Sequence, residues 1–393
     1  MDNDLFFFSR TTGSVINGCI VVMLLVSMFP YLKTSPLGSD VQAHVFVVFA
    51  GLVALTLVLG GVSWKAYALF FLGLAFFGLT IALHGRGGDY IRVLFLFLML
   101  YVFLFFLPKN KELSFKVVSF SVVVYFLGSI AQLVFGIDVL DDFVSNLRFS
   151  DSRGLTSFAS EPSFLGLISL VQLLLLEIFP GEKKRFFQLL SFLNIVLCAS
   201  MTVVFPSVMI LLSYMMIYKN MYGKGIVLIL LLTVGVFLLK GFYSDLRLFM
   251  LIDKVFDSPI DLLSHDLSAV NRITRSFGPL YLAYIDNFGF HYFDSLESDL
   301  YRVVVLWGLS SDAEITRLSN VVTYLVYPYG WFGGGVVLFY VLFLIYSSTP
   351  FYLKAAVLFF IVANVSVITP YAVLLFSLTL QPSMFKQFKP LGI

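Results

Sequence analysis

The sequence predicts an all-α polytopic integral membrane protein of eleven or twelve transmembrane helices, with one large ordered loop outside the membrane. Three observations predict it. Of 393 residues, 60% are hydrophobic and only 12% are charged. Mean hydropathy is +0.97. Apolar runs recur from end to end at the length of about 20 residues that a hydrocarbon core requires. A soluble core does not absorb that much apolar surface, and its helices rarely run so long with so few charges.

The runs lie at 13–33, 41–62, 64–84, 89–107, 113–135, 162–180, 186–204, 206–219, 225–242, 328–347 and 352–381. The eighth is short, with a tight turn expected near 204–206, and the last is long. Within the last, Pro370 of "ITPY" either kinks one span or separates two short ones, because proline removes a backbone donor and crowds the preceding turn. The opening "MDNDLFFFSR" lacks a basic segment and a small-residue cleavage site, so the first run is expected to remain as an anchor.

Several function classes drop out. A net charge of +2 with no basic block gives no grip on nucleic acid. Cys19 and Cys198 both sit inside apolar runs, where a thiol behaves as a small hydrophobe, so neither a disulfide framework nor a metal cluster is expected. His44, His84, His265 and His291 match no metal-ligand spacing. No metal and no cofactor are therefore expected.

Orientation follows from the lysines. The connections "PKNKELSFK" (108–116), "GEKKR" (181–185) and "KNMYGK" (219–224), with Lys354, Lys386 and Lys389, are basic and belong in the cytoplasm. The alternate connections face outward, chief among them 136–161 and 243–327. The cytoplasmic set is lysine apart from Arg185, whereas the outward connections carry Arg86, Arg148, Arg153, Arg247, Arg272, Arg275, Arg302 and Arg317. Lysine serves orientation equally well, but a planar guanidinium binds phosphate or carboxylate with two parallel hydrogen bonds. Most of these arginines have acids in the same loops to pair with. Arg153, Arg272 and Arg275 are the ones that point to an anionic ligand.

The long outward stretch does not read as a linker. In "RITRSFGPLYLAYIDNFGFHYF" (272–293), Ile273, Phe277, Leu280, Tyr281 and Tyr284 recur at helical spacing, predicting an amphipathic helix folded onto the membrane part as a lid. Gly289 is placed to end that helix. His291, near the loop arginines in sequence, is a candidate general base, although most such histidines serve packing. Tyr281, Tyr284, Tyr327, Tyr329 and Trp331 offer stacking faces for sugar rings or form an interfacial belt.

The stretch "RGLTSFASEPSF" (153–164) sets an arginine and a glutamate against the start of a span. Pro162 suits the first position of a helix and Glu161 its positive end, so the pair could simply cap the helix. A carboxylate at that boundary is equally placed to take a proton.

In order, "RGLTSFASEPSF", the loop with "NRITRSFGPLYLAYIDNFGF", "SN" (319–320) and "YPYGWFGGGVVLFYVLF" (327–343) resemble the bacterial O-antigen polymerase and ligase superfamily. The arginine-to-glycine spacings of polymerase loops are not reproduced, since Arg272 and Arg275 reach Gly289 at other intervals. The resemblance implies an enzyme of the bacterial inner membrane, multi-pass, with its active site facing the periplasm. It would transfer a growing glycan from undecaprenyl pyrophosphate to a hydroxyl of another lipid-linked repeat unit, without a metal. The 136–161 connection becomes the first catalytic segment of a single transmembrane domain spanning 1–393, and 243–327 the large periplasmic loop. Arg153, Arg272 and Arg275 would hold the pyrophosphate, with Glu161, Arg153 and His291 as catalytic residues. The partners implied are the lipid-linked oligosaccharide, membrane lipid and, where chain length is controlled, a regulator protein.

Two other readings compete. A ligase of the same superfamily would pass finished glycan to lipid A core and depend on a loop histidine, here His291. A polysaccharide or lipid transporter should show ionisable groups at mid-span or an internal repeat. Glu177 and Arg92 lie near span ends, and no repeat is evident.

Overall fold

The computed structural model describes residues 2–34, 41–60, 63–84, 91–147, 154–219, 267–309, 318, 320–362 and 368–381. Their regular structure is helical, joined by turns and irregular segments, with one isolated antiparallel bridge between Leu32 and Val144. Among the described residues, three helices, spanning Trp64–Ala82, Lys111–Phe135 and Val321–Tyr346, are long and apolar enough to cross a membrane, and shorter apolar helices accompany them. The protein is an α-helical membrane protein. The expected span at 225–242 lies outside the described residues.

The chain divides into two units. The first is built from Met1–Phe76, Leu94–Ser207 and Ile368–Gln387. It holds α1 (Asp2–Met28), α2 (Ala43–Leu59), most of α3 (Trp64–His84) and α4 (Ile91–Phe106), then α5 (Lys111–Phe135), a 3-10 turn (Ile137–Leu140), α6 (Pro162–Ile178) and α7 (Lys184–Leu197). The helix Pro370–Thr379 also belongs here. Helix α6 is buried on nearly every face, packing against α5, α7 and Pro370–Thr379. A helix apolar all round belongs at the centre of an assembly.

Polar side chains tie this centre together. Gln172 Nε2 on α6 donates to Ser121 Oγ on α5 at 3.0 Å, Ser129 Oγ on α5 donates to Asn194 Oδ1 on α7 at 3.1 Å, and Ser191 Oγ on α7 donates to the Ser169 carbonyl at 2.6 Å. Where lipid removes the hydrophobic advantage of helix contact, such small and polar residues hold helices together.

The second unit comprises Phe77–Val93 and Val208–Val367 with the last residues of the chain. It contains α9 (Leu267–Ile285), a 3-10 turn (Phe293–Ser295), α10 (Leu296–Leu306), α11 (Val321–Tyr346) and α12 (Phe351–Val362). Between the two sets in sequence, α8 runs from Met201 to Lys219, and Pro370–Thr379 is numbered α13. Helix α9 packs on α10 and α11, and α11 on α12.

Several boundaries differ from the sequence reading. The turn expected near 204–206 lies at Cys198–Ser200, where Ala199 adopts φ 44°, and Pro206 is accommodated inside α8. Pro370 opens α13 at its first turn, and the described residues of the run 352–381 form two helices of 12 and 10 residues. At 1.5 Å per residue each is under about 20 Å long, and neither alone reaches across a ~30 Å core. Helix α11 begins at Val321, seven residues ahead of the expected start, because Asn320 and Thr323 form a reciprocal capping box.

The face predicted to bury α9 is reversed. Phe277 and Tyr284 are exposed, while Val270, Thr274, Gly278 and Leu282 are buried. The reason lies in Gly278, whose bare backbone comes against Leu300 and Val303 of α10 and makes the small-residue side of α9 the packing side.

Candidate active site

In the first unit, the residues leading to Glu161 are held without regular structure. Gly154 lies so close to the backbone of α7's end that a Cβ would run into the carbonyl oxygens of Leu197 and Cys198. Leu155 N–H donates to the Leu197 carbonyl at 3.0 Å. Gln132, near the end of α5, then clamps the next two residues. Its Oε1 accepts the N–H of Thr156 at 3.1 Å and of Ser157 at 2.7 Å, and its Nε2 donates to Thr156 Oγ1 at 2.8 Å and the Ile137 carbonyl at 2.9 Å.

Ser157 takes a left-handed backbone, φ 49°, and its hydroxyl donates to the Tyr125 carbonyl at 2.7 Å. Gly128 of α5 leaves the room that Ser157 and Phe158 occupy. Each of these polar groups is buried, and a buried polar group left unpaired costs about 1–3 kcal/mol, so the segment has few alternatives to this path.

Glu161 is the residue before α6, extended at φ −153° and ψ 159°, as the following Pro162 requires. Its side chain does not cap the helix. Instead the half-buried carboxylate accepts the Ser163 hydroxyl through Oε1 at 2.6 Å. Next to it, Phe164 stacks on Tyr31 with centroids 5.2 Å apart, and the Tyr31 and Tyr371 hydroxyls meet at 3.0 Å. The result is a carboxylate on a fixed backbone at the mouth of a buried apolar helix. Arg153 lies outside the described residues, immediately before this pinned segment.

In the second unit, α9 carries Arg272 and Arg275 on adjacent turns. The Arg275 side chain is half-buried, and that of Arg272 lies outside the described residues. The helix ends at Ile285, ahead of Gly289, and the turn after it places Asn287 and Phe288 in left-handed conformations at φ 52° and 53°, with Phe288 N–H reaching the Ala283 carbonyl. Asparagine tolerates this conformation through its short polar side chain.

His291 follows, packed into the same turn. Its ring stacks on Tyr327 at 4.9 Å and 18°, and its N–H donates to the Tyr327 carbonyl at 3.2 Å. Nε2 stands 3.7 Å from Asp286 Oδ2, and Nδ1 stands 3.7 Å from Asp299 Oδ2. Asp299 Oδ2 in turn accepts the Tyr327 hydroxyl at 2.7 Å and Ser295 Oγ at 3.0 Å.

The Tyr327 carbonyl meets this turn because α11 is broken: Gly330 takes φ 48° and ψ −127°, a conformation for which only glycine is suited. Trp331 N–H, past the break, donates to the Phe288 carbonyl at 3.2 Å. One turn earlier, Arg92 Nη1 donates to the Tyr324 hydroxyl at 2.6 Å.

Two expectations about stacking faces are corrected. Tyr327 and Tyr329 are wholly buried, the first covered by His291 and the second with its hydroxyl 2.6 Å from Thr80 Oγ1. Trp331 and Tyr284 are exposed, and Tyr281 is half-exposed beside Trp307 at 5.5 Å. The sequence reading missed Gln132, Asp299 and Gly330. A lone amide in the apolar run "GSIAQLVF" and the "PYG" inside another run were the available signals.

Among the described residues, no group of three His, Cys, Asp or Glu side chains converges to hold a metal ion. The sequence matches no protein-family model and no curated protein.

Proposed function

We propose that the chain is a polysaccharide polymerase of the bacterial inner membrane, multi-pass, acting on lipid-linked oligosaccharide at the periplasmic face. The acceptor hydroxyl oxygen bonds to the anomeric carbon of the growing glycan while the bond from that carbon to undecaprenyl pyrophosphate breaks, leaving the electron pair on the phosphate oxygen. Two tasks follow: neutralising the charge that develops on pyrophosphate, and removing the hydroxyl proton.

Arg153, Arg272 and Arg275 are assigned the first, as metal-free anion binders. The sequence has no Asp-x-Asp pair in its outward connections for a metal to use, "DND" at 2–4 being on the other side by the lysine rule. Glu161 is assigned the second.

The observation that carries this reading is the carboxylate of Glu161 at the entrance to α6, at the end of a segment pinned by Gln132 and Gly154. A merely capping glutamate would direct its oxygens to the first turn's backbone N–H groups, and this one does not. The test is deletion of the gene followed by gel separation of the cell's lipopolysaccharide. Core bearing a single repeat, with the ladder gone, supports a polymerase; an unchanged pattern removes the reading.

A ligase reading is favoured by a different observation, the enclosure of His291 between two carboxylates. Loss of every repeat from the core, with lipid-linked polymer accumulating, would select it.

A further inference from the structure

We propose that Asp286, His291 and Asp299 form a subsite for the hydroxyl groups of a saccharide, in the second unit and distinct from the arginines assigned to pyrophosphate. The inference rests on the polymerase reading and names what this part of the chain would bind.

The His291 side chain is only 11% exposed, and among the described residues its Nε2 makes no hydrogen bond. A buried ring nitrogen with nothing to pair with is costly, and such orphaned groups point to a missing partner. The neighbouring carboxylate oxygen of Asp286, at 3.7 Å, is beyond hydrogen-bond reach. That separation suits one bridging oxygen: a hydroxyl at about 2.8 Å from each donates its one proton to Asp286 Oδ2 and accepts from His291 Nε2–H. Asp286 is 39% exposed on the turn after α9, so rotation of its side chain opens the way to Nε2.

On the far side, Asp299 Oδ2 accepts from Tyr327 and Ser295 and stands 3.7 Å from Nδ1, which sets a second carboxylate beside the ring and leaves Nε2 as its orphaned nitrogen. Two carboxylates beside the ring repel an anion, so phosphate is a poor occupant here and a neutral polyhydroxyl ligand a good one. Phe290 and Tyr292, which flank His291 in sequence, are 50% and 54% exposed, and Trp331, 68% exposed, rests on Phe288 at 4.5 Å. Carboxylates for hydroxyls and aromatic rings for C–H faces are the complementary halves of sugar recognition.

The test uses the full-length protein in lipid nanodiscs and two probes: the lipid-linked oligosaccharide extracted from cells lacking the gene, and undecaprenyl pyrophosphate without sugar. Asp286→Asn and His291→Gln should each weaken binding of the sugar-bearing lipid about tenfold, the loss of one good hydrogen bond to a charged or buried partner. Binding of the bare lipid should stay within about twofold, and the melting temperature of Asp286→Asn should match the parent. Unchanged binding of the sugar-bearing lipid, or equal weakening of both probes, overturns the subsite alone. If no sugar-bearing lipid accumulates in the deletion strain, the polymerase reading falls and the subsite with it.

Discussion

The amide oxygen of Gln132 accepts the backbone N–H of Ser157 at 2.7 Å, joining the end of α5 to the segment that delivers Glu161. Because the same oxygen also takes the N–H of Thr156, one side chain sets the path of two buried peptide groups. Gln132→Leu strands both N–H groups at about 1–3 kcal/mol each. We expect a melting temperature in detergent several degrees below the parent, together with loss of polymer. Ser163→Ala should leave the melting temperature nearly unchanged and lower activity only modestly.

Gly154→Ala puts a methyl group into the carbonyl oxygens of Leu197 and Cys198. Backbone cannot yield as a flexible side chain does, so the segment must shift. The expected outcome is protein that reaches the membrane but yields little or no long polymer on a lipopolysaccharide gel. Gly334→Ala, where no atom lies within 4 Å of the added carbon, serves as the harmless counterpart.

Glu161→Gln keeps the shape and the Ser163 contact but cannot accept a proton, which for a general base costs on the order of 10²–10⁴ in rate. Polymer should vanish while immunoblots show normal membrane levels. Long polymer retained in that strain would remove Glu161 from the proton-accepting role.

Arg153→Ala, Arg272→Ala and Arg275→Ala are each expected to abolish polymer without reducing membrane levels. Arg153→Lys distinguishes charge from geometry: a point charge cannot replace a two-pronged contact with phosphate, so it too should be poor. Wild-type polymer length from Arg153→Lys would show that charge alone suffices.

Gly330→Ala forces a side chain into φ 48° and against the Phe288 carbonyl, a strain of about 1–3 kcal/mol before any clash. Limited proteolysis should become faster at the turn after α9 than in the parent protein.

The membrane class, the helix at 64–84 and the start of α6 at Pro162 were legible in the sequence because each has a local cause: apolar length, or proline where no donor is needed. The packing face of α9 was not. Helical periodicity of large apolar residues marks a core face only where water is the alternative, and Phe277 and Tyr284 point outward here. Glu161 and Pro162 were recognisable in their own motif. Gln132, 24 and 25 residues from the backbone groups it holds, was not, since nothing local to either segment announces the pairing. Asp299 was hidden in the same way, looking like one acid among many until the fold set it beside His291 and Tyr327.

The break in α11 has a consequence for chain length. Phe288 pairs with Trp331 and His291 with Tyr327 through their backbones, running in opposite directions, so an opened helix turn and a surface turn act as two rungs of a ladder. Gly330 is fixed between the rungs by its conformation and by the Phe288 carbonyl, and the path of the surface turn is set against it. An insertion between Phe288 and His291 would pull one rung away from its partner on α11, so two short segments far apart in sequence constrain each other.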